Sequence, residues 1–263
     1  MKEDLLLQTL LRWFDDYVAD YYTGDEEHDY NISLKQIHTH MVLDRITDLG
    51  KRIGTCGPVR FRAEAAALLH DCGRFEQYRR YRSFRDDVTV DHGNLGVRVI
   101  RDSNLLEGYG REARRDILFS VEYHNKKELP RSPSRTALEI TRMVRDADRM
   151  DIFRVIAGEL DNGAERRGNT VFWDLDQEEG ISDPVYEALS RRLPVDRGDM
   201  RTRTDFLCMV LSWVYLMNFS ESLLLIAETG LLGRLTGNLP DTERGRAVRA
   251  GIEAFIECPR SWG

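Results

Sequence analysis

Residues 63–76 read Ala-Glu-Ala-Ala-Ala-Leu-Leu-His-Asp-Cys-Gly-Arg-Phe-Glu, and the rest of the chain is interpreted around this stretch. Its small apolar residues favour a helix that is buried against several neighbours. His70 and Asp71 then stand side by side before Gly73. Burying an ionisable pair is costly unless a metal ion or a full set of hydrogen bonds compensates it. Adjacent helical residues diverge by about 100°, so both can hold one ion only at a helix end, which Gly73 would allow.

An isolated His-Asp pair is more simply interpreted as a helix end with a solvated aspartate, so the other histidines matter. A second helix is predicted over 33–49, closed by Gly50. His38 lies on its apolar stripe, whereas His40 lies on a polar side. His28 falls in a polar, loop-like segment, and we assign it to the surface. His38 is therefore the better candidate ligand on this helix, and a contribution from His40 is left open.

Three further residues are placed to face the same interior. His92 follows Asp91 in the first turn of a predicted helix, where an acidic residue suits the positive end of the helix dipole. His124 ends an apolar-rich turn. Asp148 shares an apolar stripe with Ile140 and Val144 on a helix predicted over 134–157, whereas Asp146 lies off that stripe and Asp151 lies at its edge. A core-facing aspartate without a partner is costly, which makes Asp148 a candidate site residue.

The composition is that of a soluble globular protein in the cytoplasm. Its net charge of -7 argues against general nucleic-acid binding, although the 38 basic residues could form a local phosphate-binding patch. The four scattered cysteines form no Cys-x-x-Cys and indicate reduced thiols. The N-terminus lacks a signal-peptide pattern. The longest apolar run, 206–217, is too short to span a bilayer and is interpreted as a core helix.

The periodicity predicts an all-α fold in one domain over 1–263, because no useful length of sequence alternates with period two. An opening helix is predicted over 4–22. Residues 159–203 indicate a loop-rich cover with anchors at Val171, Phe172 and Trp173. Helical stretches over 204–228 and 242–257 are expected to complete the core.

Four of the six histidines fall at inward positions from separate helices, together with two aspartates. The candidate metal ligands are His38, His70, Asp71, His92, His124 and Asp148. Histidine and carboxylate together suit a divalent transition metal (Mn, Fe, Co, Ni or Zn). The pattern predicts a metal site inside a helical bundle.

In this order and with these wide gaps, His38, His70-Asp71 and Asp148 resemble the signature of the HD-domain superfamily of metal-dependent phosphohydrolases. The flanking residues match as well, in His38-Thr39-His40-Met41-Val42, Leu68-Leu69-His70-Asp71-Cys72-Gly73 and Ala147-Asp148-Arg149-Met150. The resemblance covers about residues 31–156 and implies an HD-type bundle with additional N- and C-terminal helices.

The resemblance also implies a second ion, because some family members add histidines between the doublet and the last aspartate. Asp91-His92-Gly93 and Tyr123-His124-Asn125 are similar to those additions. Some two-metal branches have a His-His pair where this chain has His124-Asn125, and the Gly-Tyr-Pro signature of the cyclic-di-GMP branch is absent. With two ions, Asp71 would be the bridge.

The implied activity is hydrolysis of a phosphomonoester or phosphodiester, of a nucleotide-type small molecule, by a metal-activated water. Arg74, Lys126 and Arg149 lie within a few residues of the candidate ligands and could stabilise phosphate charge, or could be ordinary surface ion pairs. The alternatives are a single-metal nucleotidase acting on nucleoside monophosphates, a catalytically silent regulatory module that binds metal or nucleotide, and a structural helical scaffold. Substrate identity and homo-oligomerisation are left open.

Overall fold

The computed structural model describes residues 2–130, 134–161 and 180–257, and within these ranges the chain is α-helical without a β-strand. This confirms the predicted all-α fold. None of the helices in the described ranges combines the length and hydropathy that a bilayer span requires.

The helices that carry the candidate ligands belong to the first of two compact units, Met1–Asp151 and Ile152–Gly263. The first unit contains α1 (Lys2–Ala19), α2 (Glu26–Arg52), α3 (Gly57–Leu69), α4 (Cys72–Tyr81), α5 (His92–Asp102), α6 (Arg111–Tyr123) and most of α7 (Arg135–Asp161). The single domain expected over 1–263 stays a prediction.

Helix α2 begins earlier than the sequence analysis expected. Asp25 caps it by accepting a hydrogen bond from the His28 backbone N–H at 2.7 Å. The acidic first turn suits the helix dipole, so the segment interpreted as a loop is helical. The assignment of His28 to the surface was also wrong: the side chain is buried, with Nε2 2.8 Å from the Tyr21 carbonyl oxygen. Gly50 lies inside the helix and does not close it.

Helix α3 is buried throughout 63–69, as its small apolar residues predicted. It ends at Leu69, so His70 and Asp71 lie in the short link before α4. The expected role of Gly73 was wrong, because Gly73 lies inside α4. A Cβ atom there would lie 2.6 Å from the Gly96 backbone nitrogen and would also overlap the His92 carbonyl oxygen. The absent side chain lets α4 and α5 approach closely.

Helix α5 begins at His92 with Asp91 as its cap, accepting from Asn94 N–H at 2.9 Å, which confirms the predicted first-turn position. On α7 the prediction was partly wrong. Asp148 is 20% exposed at its side chain, whereas Asp151, which we expected at the edge of the stripe, is fully buried. Asp146, expected off the stripe, is also buried.

The second unit contains α8 (Asp183–Ser190), α9 (Arg203–Ser212), α10 (Ser220–Thr229), α11 (Leu231–Gly237), α12 (Glu243–Glu257) and 3₁₀ turns at Arg197–Asp199 and Trp213–Leu216. The helix expected over 206–217 therefore changes to a 3₁₀ turn after Ser212. The anchors Val171, Phe172 and Trp173 lie outside the described residues. The covering role of 159–203 stays a prediction.

Candidate metal centre

Six side chains that the sequence analysis selected lie close together in the first unit. His38 lies along α2 and Asp148 along α7. The other four lie at helix ends or in the link between α3 and α4: His70, Asp71, His92 and His124. Three overlapping sets each have ligand atoms within 4.8 Å of one another: His38, His70 and Asp71; His70, His124 and Asp148; and Asp71, His92 and His124. Side chains from two helix interiors, from helix ends and from the link before α4 therefore converge on one cluster.

Asp71 lies at the centre of this cluster and is 2% exposed. Its Oδ2 atom lies 3.7 Å from His38 Nε2 and 3.6 Å from His70 Nε2. Its Oδ1 atom lies 3.3 Å from His92 Nε2 and 3.8 Å from His124 Nε2. The two oxygens of one carboxylate thus face two different pairs of histidines.

Asp148 adds a second carboxylate on the side of the first pair. Its Oδ1 atom lies 3.1 Å from His38 Nε2 and 3.8 Å from His70 Nε2. The His38–Asp148 approach lacks the geometry of a hydrogen bond, because His38 Nε2 has no hydrogen-bond partner among the described residues. The Nε2 atoms of His38 and His70 therefore lie near two carboxylates, Asp71 and Asp148. Those of His92 and His124 lie near Asp71.

Two of the histidines are oriented by buried or partly buried carboxylates. His38 Nδ1 lies 2.8 Å from Asp151 Oδ2, and His92 Nδ1 lies 2.6 Å from Asp86 Oδ2. An ionised carboxylate only accepts hydrogen bonds, so Nδ1 carries the proton and donates in both cases. The Nε2 lone pairs of His38 and His92 are thereby directed into the cluster.

The other two histidines are oriented by the last turn of the preceding helix. His70 Nδ1 donates to the Ala67 carbonyl oxygen at 2.6 Å, and His124 Nδ1 donates to the Val121 carbonyl oxygen at 2.8 Å. Each carbonyl lies three residues before its histidine, where a helix end leaves it without an intrahelical partner. All four candidate histidines thus offer Nε2, in the arrangement typical of metal-binding histidines.

The chemistry of the donor set fits a divalent transition metal. His70 Nε2, like His38 Nε2, is buried without a hydrogen-bond partner in the described part of the chain. His92 Nε2 and His124 Nε2 lie 2.9 Å apart. With both Nδ1 atoms protonated, these nitrogens would face each other with lone pairs, an arrangement that a metal cation between them would relieve. Imidazole with carboxylate suits Mn, Fe, Co, Ni or Zn.

The pKa values of the carboxyl groups are shifted towards the ligating form. Burial would raise the pKa of Asp71, but the Lys35 ammonium beside it, with His70 and Arg74, holds that pKa well below its usual range. Burial also opposes ionisation of Asp148, yet His38 and His70 hold its pKa low. Both carboxylates are therefore ionised at neutral pH.

Most of the histidines are held neutral. Burial lowers the pKa of His70 and of His92, and burial together with the neighbouring His92 and His70 lowers the pKa of His124 to about 3. For His38, burial and the Lys35 charge also favour a lower pKa. Asp148 and Asp151 outweigh them, so the pKa of His38 is raised. A positive charge is therefore favoured at His38 Nε2.

The three basic residues predicted to face phosphate each contact an acidic residue. Arg74 donates through Nη1 to Asp86 Oδ1 at 2.8 Å, and its Nε atom lies 3.5 Å from Asp71 Oδ1. Lys126 forms an ion pair with Asp91. Arg149, whose pKa is lowered by burial, lies 3.7 Å from Asp146 Oδ1. Their role towards phosphate stays a prediction.

Three residues of the cluster were not selected as site residues from the sequence: Lys35, Asp86 and Asp151. Lys35 precedes His38 by three residues, and Asp151 follows Asp148 by three, so helical spacing would have placed both beside a candidate ligand. Asp86 gave no comparable signal, because its contact with His92 depends on the loop before α5. His40 lies outside the cluster, with Nε2 2.9 Å from Asp15 Oδ1.

Residues 36–154 match the model of one protein family, the HD domain. The matched range contains all six candidate ligands. Neither the comparison with curated proteins nor the comparison with solved structures gave a match.

Proposed function

We propose that this protein is a phosphohydrolase that acts on a nucleotide-type phosphomonoester or phosphodiester at a two-metal site, because residues 36–154 match the HD-domain family model. HD domains in general belong to metal-dependent hydrolases. The two-metal proposal rests on the two carboxylate oxygens of Asp71, which face different histidines. Oδ2 faces His38 and His70, and Oδ1 faces His92 and His124.

The proposed ligands follow from this division. His38, His70, Asp148 and Asp71 Oδ2 would hold one ion, and His92, His124 and Asp71 Oδ1 would hold the other. Bound divalent ions would supply a water of lowered pKa and polarise a phosphoryl oxygen.

The protein's own part in the reaction is orientation. Asp151 and Asp86 fix the rings of His38 and His92, so that each nitrogen meets the site with a lone pair. Burial of the cluster strengthens the interactions of its charges, since water screens them poorly there. These features support a preorganised site rather than one assembled by the substrate.

Arg74 lies beside a proposed ligand, with Nε 3.5 Å from Asp71 Oδ1, and is a candidate for holding the substrate's phosphate. Its Nε atom is buried without a hydrogen-bond partner in the described ranges. Guanidinium and ammonium groups stabilise developing phosphoryl charge, so Arg74, Lys126 and Arg149 are proposed to face the substrate. A small phosphorylated molecule suits a chain of net charge -7 better than a nucleic-acid polymer does.

The test is phosphoester hydrolysis by protein reconstituted with Mn²⁺ or Fe²⁺. Nucleoside monophosphates, dinucleoside polyphosphates and cyclic dinucleotides are offered to the wild type, to Asp71→Asn and to Asp44→Asn, a control at an exposed position of α2. We expect hydrolysis of at least one class, abolished by chelator and reduced about 1,000-fold or more in Asp71→Asn, because metal assistance contributes several kcal/mol. Asp44→Asn should retain full activity.

Two other outcomes would favour the alternatives. Protein that binds metal and nucleotide but hydrolyses none of the three classes would be a regulatory module. Hydrolysis restricted to nucleoside monophosphates and unaffected by His92→Ala would indicate a single-metal nucleotidase, because His92 belongs only to the second set of ligands.

A further inference from the structure

Lys35 makes the closest contact to the central carboxylate and has no part in the function proposed above. Its Nζ atom lies 2.8 Å from Asp71 Oδ2. That oxygen is the one that faces His38 Nε2 and His70 Nε2. The lysine ammonium and a metal ion of the first set therefore require the same carboxylate oxygen.

The environment of Lys35 allows its ammonium to leave. The side chain is 17% exposed, in contrast to Asp71 at 3%. Its Nζ atom lies 5.5 Å from the centre of the Phe84 ring, whose face can attract a cation. Lysine has a flexible stem and a strongly hydrated head, whereas the histidine rings are fixed through Nδ1. Lys35 can therefore leave Asp71 more easily than the buried histidines can change orientation.

The positive charge of Lys35 opposes binding of a metal ion at Asp71. A buried carboxylate needs a compensating positive charge, and Lys35 supplies one to Asp71. A dication bound to the same oxygen would lie within a few ångströms of the ammonium, and like charges at that distance repel strongly in a buried site.

We propose that Lys35 is an exchangeable counter-ion of the metal site. It neutralises Asp71 until a metal ion displaces it, and this competition lowers the affinity of the site for metal. The inference rests on the proposed metal centre. It assigns to Lys35 control over how tightly the first ion is held.

The experiment measures Mn²⁺ affinity by competition with a chelator, and the melting temperature of chelator-treated protein, for the wild type and three variants. Lys35→Met removes the charge and keeps much of the stem. Lys35→Arg keeps the charge. Lys51→Met is the matched control, since Lys51 is on the same helix, 68% exposed at its side chain and paired with Asp48.

We expect Lys35→Met to bind Mn²⁺ about tenfold or more tightly, because the competing cation is gone. The same variant should melt at a lower temperature without metal, since Asp71 loses its closest counter-charge, and should gain more stability from Mn²⁺ than the wild type does. Lys35→Arg and Lys51→Met should stay within about threefold of the wild-type affinity, because the charge beside Asp71 is kept in both. If Lys35→Met does not fold, Lys35→Gln takes its place.

Unchanged or weaker Mn²⁺ binding in Lys35→Met, with normal binding by the wild type, would overturn the counter-ion role and leave the metal centre intact. An equal gain in Lys35→Arg would also overturn it, because charge would then not be the cause. Absence of Mn²⁺ binding in the wild type would instead refute the metal centre, and the counter-ion role with it.

Discussion

Asp151 fixes the ring of His38 from the side opposite the cluster. It is fully buried and lies 2.8 Å from His38 Nδ1. Without this acceptor, the ring can rotate or carry its proton on Nε2, and either change removes the lone pair from the site. Asp151 is therefore a positioning residue.

We predict that Asp151→Ala lowers affinity for the first ion about 10- to 100-fold, the usual effect of removing the carboxylate behind a metal-binding histidine. Asp151→Asn, which keeps an acceptor oxygen, should lose less. Chelator competition measures both, with Glu139→Ala at an exposed position of α7 as the control. Equal affinities for Asp151→Ala and the control would contradict the role of Asp151.

His124 makes the stability of the chelator-treated protein depend on pH. Its folded-state pKa is about 3, against 6.5 for an unperturbed histidine, because burial and the neighbouring histidines disfavour its charged form. Between these values the unfolded chain binds a proton at residue 124 that the folded protein does not bind. The free energy of unfolding therefore falls as pH falls through this window, by about 1.4 kcal/mol per pH unit from this group.

His124→Gln should accordingly show a shallower decline of the unfolding free energy between pH 6.5 and 4 than the wild type. Urea denaturation at several pH values measures the slope. His40→Gln is the control, because His40 lies outside the cluster, where its Nε2 atom is 2.9 Å from Asp15 Oδ1. A slope in His124→Gln equal to that of the wild type would show that His124 is not held neutral by burial.

At this scale the sequence was informative about ligands and less so about their partners. Helical register placed His38 inward, and the apolar run before His70 indicated burial. The Nδ1 partners depend on tertiary packing or on main-chain carbonyls, which residue types do not reveal. Asp148 shows the limit of the stripe argument, because it is more exposed than Asp151 although both lie on α7.

At the scale of helices, α4 directly follows Asp71 and α5 begins at His92, and the two helices approach each other closely at Gly73. A Cβ at Gly73 would lie 2.6 Å from Gly96 N and would overlap the carbonyl oxygen of His92. Backbone atoms cannot move aside as a flexible side chain can, so α5 would have to shift, and His92 with it.

Gly73→Ala should therefore destabilise the protein by about 1–3 kcal/mol, the usual range for overpacking. It should also weaken binding of the second ion more than binding of the first. Chemical denaturation and metal stoichiometry measure the two effects. Gly108→Ala, where a Cβ meets nothing within 4 Å, should change neither by a comparable amount. Normal stability and full metal content in Gly73→Ala would refute the close approach of the two helices.

The ends of α2 differ from those that the local sequence predicted. Asp25 provides a better cap than the expected start at residue 33, because its carboxylate accepts from the His28 backbone N–H. Gly50 was expected to end α2, yet it lies inside the helix with room for Met143, whose Cε would lie 3.6 Å from an added Cβ. Tertiary packing thus kept a glycine within the helix.

At the scale of the molecule, the all-α fold followed from helical periodicity alone, whereas the division into Met1–Asp151 and Ile152–Gly263 did not. No composition shift or linker marks residue 151, because α7 continues through it. All six candidate ligands lie in the first unit. The sequence motif therefore indicated where the candidate ligands lie but gave no sign of the boundary between the two units.

The most direct test of the metal centre is elemental analysis of protein purified without chelator. We expect two equivalents of transition metal in the wild type, about one in His92→Ala, and none retained in Asp71→Ala, because Asp71 serves both sets of ligands. Asp44→Ala should match the wild type. Absence of metal from the wild type, even after reconstitution with Mn²⁺ or Fe²⁺, would refute the metal centre and leave the histidines as core residues of a helical scaffold.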